Sequence, residues 1–188
     1  MLLDSLPLSP RDLGMPAKFA AWRRCQEQSI NRCLNQDRRF QIHAQPTGSG
    51  KTGSYIGAAL ISDERTLILT ATKALQNQIA ADFGSIGIAD LRGRANYRCR
   101  MSKSMSCEDG HHSGCADSKG TGCPYMCARE VAKTSRIVVT NYACWMANNL
   151  YGEGLGKFDA LVLDEAHNAA DEVCSMIGVE VTTEDAEA

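Results

Sequence analysis

At 188 residues the chain has room for one good core with an insertion and is short for two full domains. Its 44% hydrophobic and 22% charged residues are the composition of a soluble globular protein, and with no apolar run near the roughly 20 residues of a bilayer span, a membrane-embedded protein is excluded. The net charge of −2 hides an asymmetry: residues 92–133 carry eight basic and four acidic side chains, whereas from Glu153 onward ten acidic residues stand against Lys157 alone. The basic stretch is the better candidate for phosphate contact, and the acidic one reads as a solvated face or a ragged chain end. Met1-Leu2-Leu3-Asp4 has neither a basic n-region nor a long apolar h-region, so a cytoplasmic protein, intracellular or nucleoid-associated, is expected.

In chain order, Phe19, Trp22, Ile30 and Leu34 fall near helical spacing and predict an amphipathic helix over about 17–36. Phe40-Gln41-Ile42-His43-Ala44 alternates as a strand, a glycine-rich turn follows, and 54–61 predicts a helix rich in small apolar residues. Further strands are predicted at 66–70, 136–140 and 158–164, each followed by a helical pattern. Strands alternating with helices imply the α/β class, a parallel sheet covered on both faces. Residues 92–132 break this rhythm with Cys, Gly, Ser and His and read as an insertion between two strands.

Pro46-Thr47-Gly48-Ser49-Gly50-Lys51-Thr52 lies between a predicted strand and a predicted helix, the context that a phosphate-binding loop requires. Glycines let successive N–H groups point at phosphate oxygens, and the helix behind them adds its positive dipole end. Thr47, Gly48, Ser49 and Gly50 would form the cradle for ATP, Lys51 would reach the β- and γ-phosphates, and Thr52 would place its hydroxyl on Mg²⁺. The alternative is a glycine-rich turn with an incidental lysine. Gln45 occupies the first glycine position of the full G-x-x-x-x-G-K-T pattern.

Leu161-Val162-Leu163-Asp164-Glu165-Ala166-His167 places carboxylates at the carboxyl end of a strand, where open α/β sheets bind ligands. Asp164 would hold Mg²⁺, Glu165 would orient and deprotonate the attacking water, and His167 closes the motif as a further catalytic candidate. Alone, such a motif is also an ordinary acidic helix start.

Five of the nine cysteines fall between Cys99 and Cys127. In a reducing compartment clustered cysteines point to metal rather than to disulfides. Cys99, Cys107, Cys115 and Cys123 recur every eight residues, and Cys127 follows four later. Four thiolates suit either a 4Fe-4S cluster or tetrahedral Zn²⁺, and spacing does not decide between them, although close C-x-x-C pairs typical of structural zinc are absent. His111 and His112 are alternative ligands or plain loop residues. Cys25, Cys33, Cys144 and Cys174 lie in apolar helical patterns and are expected to be small buried hydrophobes.

Together, the phosphate loop and Asp164-Glu165-Ala166-His167 resemble the DEAH-type superfamily 2 helicases. Trp22-Arg23-Arg24-Cys25-Gln26 looks like the family's segment for adenine recognition, which makes Gln26 the implied reader. Residues from Thr70 through Gln78 are similar to its motif Ia beside the nucleic-acid strand. Gly93-Arg94-Ala95-Asn96-Tyr97-Arg98-Cys99, Cys123-Pro124-Tyr125 and Val138-Val139-Thr140-Asn141-Tyr142 narrow the resemblance to the XPD/DinG branch. It runs from about residue 16 to 170. It implies a RecA-like P-loop domain, its parts at 1–91 and 133–188, interrupted by an iron-sulfur insertion at 92–132. It also tips the cysteines to iron-sulfur, with Cys123 ahead of Cys127, and makes Arg94, Arg98, Arg100 and Lys103 candidate phosphate contacts along a single-stranded DNA channel.

The sequence departs from that pattern in two places. Gln45 stands where many relatives have alanine, and the chain ends soon after the DEAH box, where the family continues into a second RecA-like domain bearing catalytic arginines. The expected function is ATP hydrolysis coupled to translocation on single-stranded or forked DNA, with 5′-to-3′ polarity implied by resemblance. The alternative is a non-catalytic, metal-stabilised DNA-binding fragment or decoy. A P-loop kinase would leave motif Ia and the cysteines without a role. Because a facing arginine typically supplies roughly 10³ to 10⁵ in rate, residues 1–188 alone are expected to bind nucleotide without helicase-like turnover.

Overall fold

Strand β1 (Thr66–Thr70) is buried along its whole length. Its side chains alternate between two cores, Leu67 and Leu69 on one face of the sheet and Ile68 on the other. The computed structural model describes residues 8–35, 38–115 and 122–178. Within them β2 (Ala89–Asp90), β3 (Ile137–Asn141) and β4 (Ala160–Leu163) join β1 in a parallel sheet of order β2-β3-β1-β4. The architecture is α/β, of the RecA-like P-loop type. The predicted strand at 66–70 is observed unchanged, and those at 136–140 and 158–164 appear as β3 and the shorter β4.

Parallel neighbours need long crossovers, and helices supply them. Helix α1 (Arg24–Leu34) packs on α2 (Lys51–Ser62) ahead of the first strand. Helix α3 (Lys73–Phe83) links β1 to β2, and the Thr72 hydroxyl caps it by accepting the Leu75 N–H at 3.2 Å. Between β2 and β3 lie α4 (Cys107–His112), which begins in a Ser106/Asp109 capping box, and α5 (Pro124–Thr134), which begins with proline. Helix α6 (Tyr142–Leu150) starts where Asn141 accepts the Cys144 N–H at 2.8 Å, and α7 (Ala169–Ile177) follows β4. No helix among the described residues is long and apolar enough to cross a membrane.

The predicted strand over Phe40–Ala44 does not form. Residues 40–44 carry no strand pairing, and Phe40 and Ile42 are 82% and 99% exposed. Period-two alternation describes side chains, but a strand also needs a neighbour for its backbone groups, and here the segment hangs on α1 through side chains instead. His43 meets Ser29 Oγ at 3.2 Å and Gln41 donates to the Asn35 carbonyl at 3.1 Å. The expected helix at 17–36 shortens to α1, because Phe19 and Trp22 pack into the second core from a non-helical approach. Of the four cysteines expected to be buried, only Cys144 is; Cys33 is half-buried, and Cys25 and Cys174 are exposed.

One structural knot carries no sequence signature. The Arg65 guanidinium, stacked 4.1 Å over Phe158, donates to the carbonyls of Ser135, Ala132, Lys133, Leu155 and Lys157. It thereby ties the end of α5 to the approach to β4.

Candidate nucleotide site and cysteine cluster

The glycine-rich loop is shaped from behind by the first turn of α1. Arg23 Nη1 donates to the Gly48 carbonyl at 2.9 Å, the Cys25 thiol reaches the Ser49 carbonyl at 3.6 Å, and Gln26 Nε2 donates to the Gly50 carbonyl at 3.0 Å. Because a trans peptide points its N–H opposite the preceding C=O, drawing three consecutive carbonyls toward α1 turns the Ser49, Gly50 and Lys51 N–H vectors the other way. The Ser49 N–H closes a turn on Pro46, while those of Gly50 and Lys51 begin α2 and provide an anion-facing helix start. Gly50 sits at φ 89°, and a Cβ there would lie 2.5 Å from Gln26 Nε2, so the position requires glycine twice over. Gln45 accepts from the Ser49 hydroxyl at 3.3 Å, bracing the loop where the full motif has glycine. The other end of the Gln26 amide accepts the Arg23 N–H at 3.0 Å, so the implied adenine reader is buried with one end holding the loop and the other capping α1.

The acidic motif arrives from the opposite direction. Asp164 follows β4, is 7% exposed, and is anchored where its N–H meets the Leu69 carbonyl at 2.9 Å. Glu165 occupies the left-handed region at φ 52°, a conformation that costs a non-glycine residue on the order of 1 kcal/mol or more and is concentrated at functional sites. That turn delivers its carboxylate to Lys51, with Nζ to Oε1 at 2.8 Å across 114 residues of sequence. The hydrogen bond to Glu165 holds the Lys51 ammonium above its ordinary value, and the same bond holds the Glu165 carboxyl below its own. His167 Nδ1 lies 3.5 Å from the other Glu165 oxygen and is largely exposed.

Sequence reasoning missed Tyr55. Its hydroxyl donates to Asp164 Oδ2 at 2.7 Å. Burial first, and then the Asp164 charge, pushes the phenol far above its usual range. Thr52 and Asp164 are the two candidate Mg²⁺ ligands, Thr52 one turn back from Tyr55 along α2. Their hydroxyl and carboxylate are the hard oxygen donors that Mg²⁺ takes, so the donor set fits the ion.

The cysteines converge on the other flank. Cys99, Cys107 and Cys123 are buried and Cys115 is half-buried. Cys107 and Cys123 touch at 3.3 Å between sulfurs and belong to the same core as Leu67, Leu69 and Val138. Gly110 separates the other two: a Cβ there would meet Cys99 Sγ at 2.6 Å and Cys115 Cβ at 3.8 Å. Burial and the Cys123 neighbour raise the Cys107 thiol. No group of three or more metal-ligating side chains is drawn together tightly enough for a single ion among the described residues. Four soft donors, three of them buried, on a loop-rich segment nonetheless have the chemistry that a cluster requires. Cys127, His111 and His112 are exposed.

Arg94 is not a free phosphate contact. Its guanidinium lies 4.3 Å over Tyr125 and reaches Cys107 Sγ at 3.6 Å, fastening the cysteine segment to the core. Arg98, Arg100 and Lys103 are exposed. Of the motif Ia side chains, Gln76 is buried and spent on Asp90 and the Leu91 carbonyl at 2.6 and 2.8 Å.

A glycine-rich loop opening a helix, facing an acidic pair at the end of a parallel strand, defines a P-loop α/β nucleotide-binding domain. Residues 19–184 match the family described as Type III restriction enzyme, res subunit, and the chain belongs to that family as an XPD/DinG-like superfamily 2 helicase domain. It is 26% identical over 186 positions to the ATP-dependent DNA helicase YoaA of Escherichia coli, covering 66% of this chain and 29% of that protein. With the ATP-dependent DNA helicase YoaA of Haemophilus influenzae it shares 26% over 198 positions, 73% of this chain and 31% of that protein. The chain thus spans about a third of the length of the curated relatives it matches.

Proposed function

We propose that the chain is the nucleotide-binding motor domain of an ATP-dependent DNA helicase, one that couples ATP hydrolysis to 5′-to-3′ movement on single-stranded DNA. The observation that carries this reading is the 2.8 Å contact of Lys51 with Glu165, which brings the two motifs together. In this state each charge neutralises the other. Binding of a nucleoside triphosphate draws Lys51 to the terminal phosphates and releases the Glu165 carboxylate to accept a proton from the attacking water. Mg²⁺, held by Thr52 and Asp164, would supply neutralising charge at the phosphates. Thr47, Gly48, Ser49 and Gly50 shape the cradle, while Gln26 must release one of its two bonds if it is to read adenine.

A 4Fe-4S cluster on Cys99, Cys107, Cys115 and Cys123, within an iron-sulfur domain at 92–132, would cross-link a segment with few large apolar side chains of its own. The exposed Arg98, Arg100 and Lys103 suit phosphate contacts with a DNA strand. A second RecA-like domain is the expected partner for turnover. Calorimetric titration of the chain with Mg·ATP, followed by phosphate release with and without single-stranded DNA, tests the reading. Mg²⁺-dependent binding supports it; absence of nucleotide binding by the folded chain refutes it.

A further inference from the structure

We infer that Tyr55 is a positioning residue that sets the geometry of the candidate Mg²⁺ ligand Asp164 through its hydroxyl, an inference that rests on the nucleotide-site reading above. Tyr55 lies three residues after Thr52 and so shares its face of α2. Its ring is half-buried against the second core, beside Ile56 and Ala59 of the same helix, which are buried in it. From there it donates to Asp164 Oδ2 at 2.7 Å, while Asp164 Oδ1 accepts the Glu165 N–H at 3.0 Å. Both oxygens of the carboxylate are thus fixed in direction by a neutral donor, and neither is neutralised by a cation in direct contact.

Phenylalanine would keep the packing of the ring and remove the hydrogen bond to Asp164. Positioning of this kind raises metal affinity more than nucleotide affinity, since the phosphate cradle is built by α1 and the loop and not by Tyr55.

The experiment compares the unsubstituted chain with Tyr55→Phe. ADP affinity is measured by calorimetry first in excess chelator and then across a Mg²⁺ titration, with thermal unfolding as a check on folding. The expected result is metal-free ADP affinity unchanged within about twofold, with the half-saturating Mg²⁺ concentration raised about tenfold. A Mg²⁺ dependence equal to that of the unsubstituted chain overturns the inference. So does an equal loss of affinity with and without metal in a variant whose thermal unfolding matches that of the unsubstituted chain. If the unsubstituted chain binds no nucleotide at all, the parent reading fails as well. Binding with an unchanged Mg²⁺ dependence in the variant removes the inference alone.

Discussion

The two flanks of the sheet are built on opposite principles. On the β2 and β3 side, the cysteine segment is continuous with the sheet core: Cys107, Cys123, Tyr125 and Ala132 pack in one cluster with Leu67, Leu69 and Val138. On the β4 side, Leu161 and Leu163 remain 51% and 41% exposed, and residues 40–44, which alternate like a strand, stay outside the sheet. The phosphate loop is therefore held by hydrogen bonds from α1 and not by a strand beneath it. One flank relies on burial plus a proposed metal cross-link, and the other on side-chain clamps around backbone carbonyls. The lesson is that a motif can be fixed in place by side chains of a packed helix even where the strand expected to carry it has no ladder.

The largest effect is expected on the cysteine flank. Anaerobically purified protein should contain about four irons and four acid-labile sulfides per chain, and Cys123→Ser should lose them while Cys127→Ser keeps them. Stoichiometric zinc without labile sulfide would remove the cluster from the comparison. The reverse pattern of variants would exchange the two cysteines. On the nucleotide flank, Lys51→Ala removes the charge that faces the terminal phosphates and should weaken Mg·ATP binding about a hundredfold or more. Undiminished affinity in a calorimetric titration would sink the phosphate-loop assignment. Glu165→Gln should separate the two roles of the pair by keeping nucleotide while losing any hydrolysis.

How much of this was legible in the sequence follows the same division. Strand β1 is a dense apolar run and appears where it is predicted, as do the helices that follow β1, β3 and β4, because periodicity and capping residues are local signals. The two-residue β2 is too short to carry a period. Residues 40–44 failed because alternation reports which way side chains point, not whether a partner exists. Lys51, Thr52, Asp164 and Glu165 were singled out from motif spacing, and the fold brings Lys51 and Glu165 into contact. Gln26 was singled out, but its grip on Arg23 and Gly50 was not foreseen, since hydrogen-bond partners depend on the tertiary approach of α1. Arg94 was offered by resemblance as a phosphate contact, and its contacts with an aromatic ring and a thiol were not foreseen for the same reason. Tyr55 gave no signal beyond helix periodicity.

Arg65 bridges the two flanks and sharpens the comparison from the side of stability. Arg65→Ala leaves five carbonyls without their donor, and with a net of about 1 kcal/mol per lost bond and partial access to water, a loss of about 3 kcal/mol is expected. Arg65→Lys should recover less than half of it, because a single ammonium does not present a planar fork. Denaturant unfolding measures both. A loss below about 1 kcal/mol for the alanine variant would mean that the carbonyls find water at no cost.

The smallest effect concerns the segment that failed to become a strand. His43 holds residues 40–44 to α1, with Nδ1 3.2 Å from Ser29 Oγ and Nε2 3.0 Å from Gln41 Oε1. The carbonyl oxygen of Gln41 only accepts, so Nε2 carries the proton and Nδ1 receives that of Ser29, which is the neutral ring. Burial first, and the Arg32 charge second, hold His43 below its ordinary value, while Cys33 Sγ at 3.7 Å is a neutral neighbour. The sign follows: with the folded value depressed, the stabilisation is fully present above the unfolded value and is lost as pH falls through the folded one, because the unfolded chain takes up the proton first. The window opens just below the ordinary histidine value of about 6.5. Since the ring is only partly shielded, the loss should stay below about 1 kcal/mol after screening. Carboxylates add their own slope at lower pH, so the quantity to measure is the difference between unsubstituted chain and His43→Gln in denaturant unfolding at pH 7.5 and at pH 5.5. The unsubstituted chain should lose more stability across that interval than the variant. Parallel losses would show that the ring does not anchor the segment, and that residues 40–44 are held by something other than the clamp that distinguishes this flank from the cysteine side.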